Sequence, residues 1–194
     1  MQGSHAESYQ RLIADRVAEI PVPERFRDPD VLIAGEGIEV SIAVPSTDRP
    51  RPVLTVGERL AVEAPRDVVK GVVAVHIARA HLGHPAPVGQ WVPTLLIFSG
   101  VFVLFGLATG IAPFLFLGGI GIIGGVLGLR SRIEAAQVVR ARVHQADELA
   151  ADWVGRQAVV DGLRWVTDRA EPDARFGGRL APPTVQDRLR ALGA

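Results

Sequence analysis

Between Pro85 and Leu129 the chain carries no Asp, Glu, Lys or Arg. No other feature constrains the fold as much, because so long an uncharged stretch needs an apolar place to go. A helix that spans a bilayer needs about 20 mainly apolar residues. Residues 91–108 (WVPTLLIFSGVFVLFGLA) and 111–129 (IAPFLFLGGIGIIGGVLGL) each come near that length, and Thr109-Gly110 separates them. The stretch therefore reads as a two-helix transmembrane hairpin over 86–129, not as the core of a small soluble domain. Gly121 with Gly125, and Gly124 with Gly128, have the small-xxx-small spacing that lets helices approach closely in lipid. Trp91 suits a membrane interface.

Charge sets the expected orientation. The turn between the spans has no Lys or Arg, whereas Arg66, Lys70 and Arg79 precede the first span and Arg130, Arg132, Arg140 and Arg142 follow the second. Positive flanks favour the cytosolic side, so both soluble portions and both termini are expected there. Residues 1–10 are polar, with no apolar run of the kind a signal peptide carries. The whole chain balances 21 basic against 21 acidic residues, which gives no electrostatic footprint for nucleic acid. It has no cysteine, so disulfides, thiolate metal sites and a cysteine nucleophile are excluded.

Four portions follow: 1–22, 23–85, the hairpin 86–129, and 130–194. Tyr9, Leu12, Ile13, Val17 and Ile20 recur at helical spacing, and Pro21 and Pro23 end that helix. DVLIA at 30–34, IEVSIAV at 38–44 and VLTV at 53–56 read as strands, separated by the turn signal Gly35-Glu36-Gly37 and the loop 45–52. Residues 67–84 read as a helix, 132–168 as a long helix with possible bends at Gly155 and Gly162, 171–179 as a loop, and 184–192 as a short terminal helix. Gly118–Gly128 is glycine-rich but lacks the lysine of a phosphate-binding loop.

The helix at 67–84 ends in VHIARAHLGHP, with His76, His81 and His84. Further on come ELAAD at 148–152 and a tail PPTVQDRLRAL containing Pro183, Arg188, Leu189 and Leu192. This order resembles the HtpX-like membrane zinc metallopeptidases, relatives of the CAAX prenyl endopeptidase. In that family a strand precedes a D-E-L-x-A-V-L-A-H-E-L-A-H helix; a membrane hairpin, an E-x-x-A-D helix and an H-P-x-x-x-x-R-I-x-x-L tail follow. The resemblance covers about residues 50–194. It implies an α+β fold: a mainly helical, zincin-type, metallopeptidase-like cytosolic domain with a small β-sheet, interrupted by the hairpin, in the cell inner membrane.

The departures from the pattern carry the functional expectation. Aligned without gaps, the first zinc histidine is Val75, the general-base glutamate is His76, the second zinc histidine is Arg79, and Pro182 replaces the tail histidine. Glu148 and Asp152 are the remnant of the third-ligand motif. Valine has no lone pair, and a guanidinium is a permanent cation with donors only. A catalytic zinc needs three protein ligands and a water. No cofactor is therefore expected. Zinc enters only if His76, His144 and Glu148 regroup into a rearranged site. An Arg79–Glu148 ion pair is expected to take the metal's place between the two helices, while His81 and His84 are expected to be polar residues near the membrane.

The implied function is a non-catalytic pseudopeptidase: a membrane-anchored module that binds another membrane protein or a peptide segment, through a sheet edge at 40–44 or 53–56. The alternatives are a zinc endopeptidase with a rearranged site, or a structural subunit of a membrane complex that works through the glycine faces of the hairpin.

Overall fold

A computed structural model describes residues 2–83, 92–169 and 183–194. The expectations for His84, Trp91, Pro182 and the loop at 171–179 lie outside them. The protein is α+β and mainly helical, with one small sheet among the described residues. It divides into two compact units.

The first unit opens with α1 (Gln2–Ala18), which buries Ile13 and Val17 and stops short of Pro21 and Pro23. A 3-10 turn at Glu24–Phe26 drives Phe26 fully into the core. Three strands follow: β1 (Asp30–Ile33), β2 (Val40–Ala43) and β3 (Val53–Val56). The sheet order is β1-β3-β2, with β1 parallel and β2 antiparallel to β3. β3 is thus the central strand, with Leu54 and Val56 wholly buried. Of the two segments expected to offer a free edge, 53–56 does not, and β2 does.

After β3 comes α2 (Glu58–Glu63), which the sequence reading missed. Its amide groups are satisfied by the preceding β1–β2 loop: Glu58 N–H donates to Gly35 O at 2.9 Å and Arg59 N–H to Gly37 O at 3.2 Å. These bonds fix residues 35–39 in place. The centre of the unit is α3 (Arg66–Leu82), whose Val69, Val73, Ala74, Ile77 and Ala78 are fully buried. Small and β-branched side chains let neighbours pack on nearly every side of it. Glu19 bridges Arg66 and Lys70 and ties α3 back to the end of α1.

α5 (Ala112–Val154) runs without interruption through the expected boundary at 129–130, since Arg130-Ser131-Arg132 contains nothing that breaks a helix. Its end is sharp. Gly155 takes φ +88°, a conformation that favours glycine, and α6 (Arg156–Arg169) restarts beyond it. Gly162 bends nothing; it lets α6 press against Val72 of α3. α7 (Val185–Ala191) closes the unit, started by a capping box in which Thr184 Oγ1 accepts from Asp187 N–H and the Asp187 carboxylate accepts from Thr184 N–H.

The second unit is a hairpin of α4 (Val92–Thr109) and the first part of α5, turning at Gly110. The helices run antiparallel and pack on each other through glycine. A Cβ on Gly118 would meet Val103, one on Gly121 would meet Ser99, and one on Gly125 would meet Leu96. Phe102 and Phe105 close over Phe114 near the turn. Outward-facing residues are large and apolar, among them Ile97, Leu104, Phe116 and Ile123. Among the described residues, α5 is the one helix both long and apolar enough to cross a bilayer; the apolar part of α4, Thr94–Thr109, is shorter. The two-span reading therefore goes further than the helices themselves.

Candidate functional site

Two cavities in the first unit meet at His76. The larger, about 680 Å³, lies between Gly37–Val40 at the start of β2 and the helices α3 and α6, with Arg59 and Arg169 at its rim. The smaller, about 60 Å³, lies between α3 and α6 and is reached by Arg79 and by Arg188 of α7. Val72, His76 and Val166 line both. α3 thus delivers one residue in three or four to a common face: Val72, Val75, His76 and Arg79.

The charge pattern here differs from the expectation. Arg79 makes no ion pair with Glu148. Glu148 and Asp152 are exposed, and the Nε of Arg79 is buried without a hydrogen-bond partner. The carboxylate that enters the core is Asp147, only 1 % exposed, and its partner is Arg188, 9 % exposed. Arg188 grips it bidentately, Nε to Oδ2 at 2.7 Å and Nη2 to Oδ1 at 2.6 Å. The geometry is the parallel fork that guanidinium and carboxylate planes favour. The physical reason for the correction is helical phase: 147 and 148 lie about 100° apart on α5, so burying one turns the other to solvent. The tail arginine anticipated from the sequence is thus the pinning residue, but its acceptor is a side chain that reading passed over.

Arg79 shares this space with Arg188. Burial lowers its pKa to about 10; repulsion from Arg188 adds to that, and Asp147 pulls partly the other way. His76 keeps a little exposure toward the larger cavity, yet its pKa falls to about 3, first through burial and then through the positive charges of Arg79 and Arg188. At pH 7 it is a neutral imidazole.

That shift has a consequence for stability. The unfolded histidine takes up a proton near its ordinary pKa of about 6.5, and the native ring refuses it until pH about 3. Native stability contributed by the neutral ring is complete above pH 6.5 and is lost as pH falls between those limits, at up to about 1.4 kcal/mol per pH unit. Besides Arg79 and Arg188, the charged groups around His76 are Arg169 of α6, Arg59 of α2 and Glu39 beside β2; none is a histidine titrating in this range. His76→Asn should flatten the wild-type fall in unfolding free energy between pH 6.5 and 5, measured by denaturant titration at each pH. Equal slopes in both proteins would contradict it.

The residues do not fit a catalytic zinc ion. Val75 offers no donor, Arg79 offers only positive charge, and Glu148 faces solvent. Among the described residues no group of three His, Asp or Glu side chains is placed to hold a metal, so His76, His144 and Glu148 do not regroup. The Nδ1 of His144 is buried without a partner. His81 is a packing residue: its ring stands edge-on to Phe26 and Trp153, at 6.3 and 6.5 Å, and Arg25 holds its Nδ1 at 3.1 Å. These contacts join the 3-10 turn to α5. Trp165 is buried under the Arg169 guanidinium.

Sequence reasoning missed Asp147, Arg59, Glu39 and Arg169. For Asp147 a signal was available, since the helix after the hairpin contains two Ala-Asp pairs, 146–147 and 151–152. Compared with protein-family models, curated proteins and solved structures, the chain matches none.

Proposed function

We propose that the protein is a membrane-anchored, metallopeptidase-like module without peptidase activity, a degenerate relative of the HtpX-like family that holds an extended peptide segment at the cytosolic face of the inner membrane. The observation that carries this reading is the 680 Å³ cavity beside an unpaired sheet edge, floored by a neutral imidazole where the family's general base would stand. β2 is an edge strand with Ser41 and Ala43 exposed. An added strand would gain backbone hydrogen bonds there and lay alternate side chains over the cavity.

The absence of chemistry is supported a second way. When E-x-x-A-D is placed on the buried Asp147 and not on exposed Asp152, its leading carboxylate becomes Val143. Every ligand position of the pattern is then aliphatic or cationic. Anchoring by the hairpin is supported by its uncharged sequence and its exposed apolar exterior, larger than a soluble surface tolerates.

The test uses the full chain in detergent with a fluorescein-labelled, carboxymethylated lactalbumin, a permanently unfolded polypeptide. Saturable binding is expected, with benzoylphenylalanine in place of Ser41 crosslinking to the probe and the same group in place of Leu12 on α1 failing to. Mass spectrometry should find no new termini, with or without added zinc. Zinc-dependent cleavage, or crosslinking that is equal at both positions, would overturn the reading.

A further inference from the structure

The smaller cavity poses its own electrostatic problem. Three polar side chains reach it: His76, Arg79 and Arg188. The other lining residues are valines, Leu163 and two glycines. Arg188 is fully engaged by Asp147, so those two charges cancel. Arg79 remains. Its Nε is buried and has no hydrogen-bond partner among the described residues. Burying a guanidinium N–H donor unpaired is costly. The cavity therefore holds one surplus positive charge, an unused buried donor, and empty volume beside it.

We infer that this cavity is a binding site for a carboxylate carried on a short aliphatic stem, received by the Arg79 guanidinium. Size and charge both select that class. About 60 Å³ accommodates a carboxylate group with a carbon or two, and little more. A single negative charge balances the surplus, whereas a dianionic phosphate would leave net negative charge buried. A planar carboxylate can accept two parallel N–H donors where a halide accepts them poorly. The valine and leucine walls suit the stem. The lowered proton affinity of neighbouring His76, due first to burial, also carries a contribution from the positive charge of Arg79.

The site needs only the cavity and does not depend on a peptide pairing with β2. It shares His76, Val72 and Val166 with the larger cavity, however, so an acidic side chain of a segment lying there has a direct way in.

The probe is sodium propionate, with propionamide as its neutral counterpart, added to the full chain in detergent at constant ionic strength. The readout is the imidazole spectrum of ¹³C-histidine-labelled protein, with the His76 signal assigned from His76→Asn. Propionate should shift that signal saturably, with half-effect at millimolar concentration, and should raise the thermal midpoint. Propionamide should do neither. Arg79→Gln should weaken the response at least tenfold while raising the ligand-free thermal midpoint, since it removes an unpaired buried charge. Arg79→Lys should keep a weaker response, which guards against misfolding as the cause of the loss. Propionate that displaces the lactalbumin probe assigns the carboxylate to an acidic side chain of a bound segment; propionate that binds without displacing it assigns a free small acid. A response shared by propionamide, or one unaltered in Arg79→Gln, overturns the site. Failure of lactalbumin binding alone counts against the peptide reading and leaves this one standing.

Discussion

Replacing Asp147 with alanine should cost about 3–5 kcal/mol of stability, the range for breaking one half of a buried ion pair. The Asp147–Arg188 fork is the one buried ion pair among the described residues. Removing the carboxylate strands Arg188 beside Arg79, and two unneutralised guanidiniums then face one small cavity. The loss should be local before it is global. α7 has only seven residues, too few to persist alone, and Leu192 beyond it is buried only while α7 is docked. Amide exchange over 185–192 should therefore rise toward the unprotected rate before the protection of α3 falls. Removing both charges together, as Asp147→Leu with Arg188→Met, should recover most of the loss, because an apolar pair of similar volume avoids the desolvation that the ions bear. A single alanine variant with unchanged denaturation would mean that water reaches the pair.

Gly71→Ala should destabilise the protein by about 3 kcal/mol, although alanine is the better helix former by about 1 kcal/mol. A Cβ at Gly71 would stand 2.0 Å from Ala158 O and 2.6 Å from its carbonyl carbon. Those are backbone atoms of α6, so no rotamer change relieves the clash; α3 and α6 must separate. Interiors packed near crystal density have no slack for this. The smaller cavity lies along the same helix pair, so its volume and the placement of Arg79 should change as well. Gly119→Ala, whose Cβ would meet nothing within 4 Å, is the matched control and should be nearly neutral. Thermal unfolding of the two variants side by side checks the contrast.

Much of the framework was legible from residue order. The three strands, the stop at Pro21 and the central helix follow from period and punctuation, because local patterning and tertiary burial agree there. α2 was not, since six residues carry little periodicity and its start is satisfied by carbonyls of a loop some twenty residues earlier. At the site, the lack of metal-donor atoms at Val75 and Arg79 could be read directly. What packs beside them could not. The sequence places His144, Glu148 and Asp152 four apart and invites them onto one working face, but the face α5 turns inward carries Ala146, Asp147 and Ala150. Choosing between helix faces requires knowing what packs against them, and Arg188 lies forty-one residues away in sequence.

We propose that where the resembling family places a divalent cation, this chain places a cation of its own, Arg79. Elemental analysis of the full-length protein, purified in detergent without chelator and dialysed against micromolar zinc, tests it most directly. The account predicts zinc far below one equivalent, unchanged in Glu148→Ala and in His76→Asn. One equivalent of zinc, lost on substituting His76, His144 or Glu148, would contradict it.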